Sequence, residues 1–92
     1  MKTNYLKLKI EELIKSRDFN RLLSQRLNIY KNIHGITNNI SIEEQILLED
    51  FIYNYFLSHF YIPTTEYNKD LIINTIQDDE WLNDWFMDYV VL

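Results

Sequence analysis

The sequence predicts an all-α fold: an antiparallel bundle of four helices, or five, packed around a central helix at about 42–60. Three observations carry this. A single Gly and a single Pro interrupt 92 residues, too few breakers for an all-β sandwich with its many turns. Seven Tyr, five Phe and two Trp supply the bulk that so short a chain needs, because it buries only about 60–65% of its unfolded surface. Most tellingly, Ser41–Phe60 reads as one helix that is apolar on almost every side, and such a helix must be packed by others on more than one flank. The length suits one domain, 1–92.

The first helix is expected over about Thr3–Lys15, with Thr3 as its N-cap. Leu6, Ile10, Leu13 and Ile14 keep the spacing of a buried face, and Lys7, Lys9, Glu11, Glu12 and Lys15 decorate the other side. Ser16–Asp18 offers capping residues for a second helix, about Phe19–His34, stopped by the only glycine, Gly35, as a left-handed cap. Its buried face is expected to be Phe19, Leu22, Leu23, Leu27, Tyr30 and Ile33. Arg26 falls in the middle of that face. It must snorkel out along its stem or pair with Asp50 or Glu49, because an isolated buried charge costs too much. Thr37, Asn38 and Asn39 are the turn formers that follow.

The central helix opens with a capping box, Ser41 with Glu44 three residues on, and Pro63 marks a stop after Phe60. On a helical wheel Ile42, Ile46, Tyr53, Phe56, Leu57 and Phe60 share one face, and Leu48, Phe51, Ile52 and Tyr55 occupy much of the opposite one. Glu43, Asp50, Asn54 and Ser58 form the continuous polar strip. Tyr61–Asn68 then reads as an irregular crossing pinned by its two tyrosines. Lys69–Gln77 suits either a short helix or an extended strip, given its β-branched content. The last helix is expected over Asp78–Val90, with Asp78, Asp79 and Glu80 complementing the dipole of its first turn. Trp81, Leu82, Trp85, Phe86 and Tyr89 make its apolar face, and Glu80, Asp84 and Asp88 recur every four residues beside it. Like charges at that spacing repel by a few tenths of a kcal/mol per pair, so a helix that carries them is a candidate for an external basic partner.

Function classes are narrowed mainly by exclusion. Without cysteine there is neither a disulfide framework nor a thiolate metal site. His34 and His59, the two histidines, have no second histidine or carboxylate at i+4, so no metal is assigned to them. No glycine-rich loop cradles phosphate, no nucleophile sits with a base, and the chain reads as a non-enzyme without a cofactor. The first residues alternate charged and apolar groups too often for a signal peptide, and no apolar run spans a membrane, so a cytoplasmic, soluble protein is expected.

Charge divides the chain. Met1–His34 holds eight Lys or Arg against three acids, and Gly35–Leu92 holds one Lys against eleven acids, for a net charge of −5. The acidic part repels nucleic acid and attracts basic surfaces. A helix-turn-helix reader is excluded because Glu43 and Glu44 would meet phosphates, and the same charges argue against single-strand stacking. What remains is protein binding, through Glu80, Asp84 and Asp88 with Trp81 or Trp85, then through Glu43 and Asp50. The partner is expected to be a basic protein, and the chain a monomer or homodimer.

The order LKIEELIK, a break, DFNRLLSQRL, then EEQILLEDFIYNYFLSHF, YIPTTEY and DDEWLNDWFMDYV resembles the small acidic immunity proteins of the colicin D type, which are four-helix proteins. The likeness spans nearly all 92 residues and rests on element order and charge; the basic N-terminal third and the two tryptophans lie outside it. It implies an inhibitor that occupies the basic cleft of a nuclease toxin by imitating phosphates. The same mimicry would serve a phage-encoded inhibitor of an anti-CRISPR or anti-restriction kind. A self-associating helical protein is the third alternative.

Overall fold

A computed structural model describes residues 2–37 and 39–90, and Asn38, one of the expected turn formers, lies outside the described residues. Five helices follow one another: α1 (Lys2–Ile14), α2 (Arg17–Ile33), α3 (Ile42–His59), α4 (Glu66–Gln77) and α5 (Glu80–Val90). No strand occurs among the described residues. The all-helical expectation therefore holds, with five helices and not four. The 69–77 stretch is helical, and its helix begins at Glu66, inside the expected irregular crossing 61–68, because Thr65 caps it: its hydroxyl accepts the Asn68 N–H at 3.1 Å, and Asn68 Nδ2 in turn donates to the Pro63 carbonyl at 2.9 Å. Ile72 and Ile76 are then buried, and the hydroxyl of buried Thr75 is satisfied by the Leu71 carbonyl at 2.6 Å.

The other helix ends follow local chemistry. Ser16 caps α2 by accepting the Phe19 N–H. The Ser41–Glu44 capping box is formed in both directions. Gly35, at φ +65°, closes α2 in a Schellman turn: its N–H reaches the Asn32 carbonyl, and that of buried Ile36 reaches Lys31 at 2.8 Å. α1 begins at Lys2, one residue before Thr3, the expected N-cap. Asp78 belongs to the end of α4 as its C-cap, and Asp79 is the residue that caps α5, accepting the Leu82 N–H at 3.1 Å.

One core collects Ile10 and Ile14 of α1, Phe19, Leu23 and Leu27 of α2, five residues of α3, Ile72 and Ile76 of α4, and Leu82, Phe86 and Val90 of α5. α3 packs against α2, α4 and α5, as a helix apolar on several sides must, and α4 also packs against α1 and α5. The wheel overstates burial at both ends of the α2–α3 pair. Ile33 is 74% exposed and Leu22 40%, while Ile42 and Ile46 on the first turns of α3 are 78% and 58% exposed. A helical wheel assumes that the neighbours run the full length of the helix, and here they do not. Tyr61 and Tyr67 likewise pin nothing, being exposed.

Candidate functional site

The side chains with the clearest capacity for external binding lie on α5, and the rotation of that helix is set by four separate contacts. Leu82, Phe86 and Val90, spaced by four, drop into the core, and the Phe86 ring stacks on Tyr53 of α3 at 4.9 Å. At the N-terminus Lys7 of α1 pairs with Asp79 at 2.9 Å. That hydrogen bond, helped by the Leu82 N–H, holds the Asp79 carboxyl below the usual carboxylate range and raises the Lys7 ammonium. Along the flank facing α2, Trp85 Nε1 and the Tyr89 hydroxyl both donate to Asn20 Oδ1, at 3.1 and 2.7 Å.

With those contacts made, Glu80, Trp81, Asp84 and Asp88 are left together on the outer face, all exposed. Trp81 shows 53% of its surface. None of the three acids forms an ion pair among the described residues. Trp85, grouped with Trp81 on sequence spacing, is turned inward. Its N–H is satisfied by Asn20, and its ring lies edge-on to Phe56 at 6.0 Å and against Tyr89 at 5.0 Å. Trp81 is therefore the tryptophan of the face, and Trp85 part of its support.

Glu43 and Asp50 occupy a different flank. α5 meets α3 through Tyr53 and Phe56, whereas Glu43, Asp50 and Asn54 share a strip turned away from those residues. Glu43 is exposed. Asp50 is bound internally, paired with Lys69 of α4 and accepting from Asn54 Nδ2 at 3.3 Å. The seven expected partner-binding residues thus divide among the α5 face, its support and a separate strip on α3.

Arg26 does not enter the core. It is exposed, and the two acids expected to meet it are occupied, Asp50 by Lys69 and Glu49 by Gln45 at 3.0 Å. It borders clefts between α2 and α3, and the expected pairing with Asp50 or Glu49 is not formed. Asn20 carried no signal in the spacing of apolar residues. The trace it leaves is its place in the first turn of α2, where an Asn amide tends to bond to nearby backbone.

Among the described residues no group of three His, Asp or Glu is placed to hold a metal ion. The clefts at Arg26–Phe51, Lys31–Asp88 and Arg26–His59 hold 180, 230 and 320 Å³. These lie at or below the bottom of the roughly 300–1,000 Å³ range of small-molecule sites. No described helix is long and apolar enough to cross a membrane. Comparison with known protein families, with curated proteins and with solved structures finds no match to this chain.

Proposed function

We propose that the chain is an inhibitor of the immunity-protein kind, which binds a basic nuclease-type toxin and covers its active site with the outer face of α5. One observation carries this: Glu80, Asp84 and Asp88 stand in a row, exposed and without an ion pair among the described residues, beside a half-exposed Trp81. The helix dipole accounts for Glu80 in the first turn, but it gives no reason for Asp84 and Asp88, which continue the row at a repulsion of about 0.2–0.5 kcal/mol per adjacent pair. A nuclease cleft must be basic to hold its substrate, and three carboxylates at one-turn spacing offer it a substitute for phosphates. Long-range attraction would speed encounter, and burial of the Trp81 ring would slow release. Such an inhibitor acts in the cytoplasm of the cell that makes it.

The test is capture of partners on the tagged chain from lysate of its source cell, at low and then high salt, beside an E80Q/D84N/D88N variant. A basic nuclease retained by the native chain through the salt wash and lost by the variant is the expected result. Retention of a nucleic-acid-processing defence complex instead would make the chain a phage-type inhibitor using the same face. Absence of any retained protein, or retention that ignores the three substitutions, would remove α5 as the binding face.

A further inference from the structure

A second surface, independent of the α5 face, lies along the groove between α2 and α3. Tyr30 meets Phe51 at 4.7 Å and Phe19 meets Tyr55 at 5.6 Å, so the two helices run in opposite directions. Between them Arg26, Ile29, Tyr30, Ile33 and Phe51 line an apolar cleft of 180 Å³. The stripe extends along each helix by its own periodicity, to Leu22 on α2 and to Leu47 and Glu43 on α3. Ile29, Ile33 and Leu47 are 57%, 74% and 42% exposed, and aliphatic groups grouped along one groove mark a candidate interaction surface.

Charge varies along this groove. Arg26 lies toward one end, one turn inside Leu22, where it also borders a cleft with Tyr55, Ser58 and His59. Glu43 marks the other, about three turns along α3 from Tyr55. Both are exposed, and neither forms an ion pair among the described residues. The order is base, apolar centre, acid. A two-fold rotation about the middle of the groove reverses that order and sets each end against its opposite, as an isologous interface requires. A foreign partner of uniform charge would be attracted at one end and repelled at the other.

We propose that this groove is the face of a symmetric homodimer, with Arg26 of each copy against Glu43 of the other and Ile29, Ile33, Leu47 and Phe51 packed at the centre. A second copy of the chain is the occupant that its charge order selects. The acids of α5 take no part, so failure of the dimer and failure of the inhibitor face are separate outcomes.

Sedimentation velocity from micromolar to near-millimolar concentration tests this on the whole chain. The mass is expected to rise from 11.3 kDa to twice that value. Ile33→Glu, R26E and E43R should each raise the dimer dissociation constant by about tenfold or more, and R26E/E43R together should restore it. All three positions are exposed in the monomer, and unchanged helical circular dichroism shows that each variant folds. A mass that stays monomeric throughout overturns the proposal. So does a dimer indifferent to these substitutions, a double reversal that fails to restore association, or a groove that takes a foreign helix while the chain stays single.

Discussion

Asn20 Oδ1 accepts the indole N–H of Trp85 at 3.1 Å across 65 positions of sequence, joining the α1–α2 corner to α5. The same oxygen accepts the Tyr89 hydroxyl at 2.7 Å, and the amide nitrogen donates to the Ile14 and Ser16 carbonyls at 2.7 and 2.8 Å. Every donor and acceptor of this amide is in use, and of its four partners only the Ser16 carbonyl has another bond to keep, from the Asn20 backbone N–H at 3.2 Å.

Asn20→Ala should therefore destabilise the fold by about 2–3 kcal/mol, the cost of leaving several half-buried polar groups unpaired. Asn20→Asp should cost at least as much, because its second carboxylate oxygen would face two carbonyls where the amide donates. Urea unfolding followed by tryptophan fluorescence measures both. An N20D protein as stable as the native one would show that the amide is replaceable.

Two helices end in the same Schellman geometry with different residues at the left-handed position. Gly35 occupies it after α2, and Tyr61, at φ +57°, after α3, where Tyr61 N–H reaches Ser58 and Ile62 N–H reaches Leu57. A left-handed non-glycine residue costs about 1–2 kcal/mol, and the extra freedom of glycine in the unfolded chain offsets up to about 1 of it. The Tyr61 side chain is 95% exposed and loses no packing on removal. Tyr61→Gly should thus stabilise by about 0.5–1 kcal/mol and Gly35→Ala destabilise by about the same, read as opposite shifts in thermal midpoint.

Burial beside Phe86, with Glu49 nearby, pushes the Tyr53 hydroxyl up to about 12. The folded state holds this proton more tightly than the unfolded one, whose tyrosines titrate near 10. The stabilising contribution is accordingly complete below pH of about 10 and is lost as pH rises through about 12. Stability should fall across that window, and Tyr53→Phe, which keeps the ring stack, should flatten the fall. An unchanged slope in the variant would assign the alkaline loss to other groups.

The acidic row on α5 sets binding against stability. Glu80 lies in the first turn, where a carboxylate complements the helix dipole, but Asp88 lies in the last turn, where it opposes the dipole. D84N/D88N also removes the like-charge pairs at i+4. This double variant should gain about 0.5–1 kcal/mol by thermal denaturation while losing retention of the basic partner. A loss of stability would mean that these acids serve the fold.

Much of this architecture was legible in the sequence because its causes are local. A capping box, a serine before α2 and a glycine after it bound the helices without reference to anything distant, and the apolar saturation of α3 marks it as a helix packed on several sides. The row of Glu80, Asp84 and Asp88 is likewise a matter of period. Which residues of an apolar stripe are covered depends on how far the neighbouring helices extend, and that is decided only when five helices pack. Ile33, Ile42 and Ile46 look like core on the wheel yet face water, and the two acids expected for Arg26 are taken by Lys69 and Gln45. Trp81 and Trp85 are equivalent in the sequence; tertiary structure divides them, because Asn20 stands where it can satisfy one indole and not the other. The sequence alone therefore determined the helices, the single central one and the charge division, all set by neighbours along the chain. Burial, pairing and the choice of exposed face were decided only in the packed structure, since each depends on residues tens of positions apart meeting across the core.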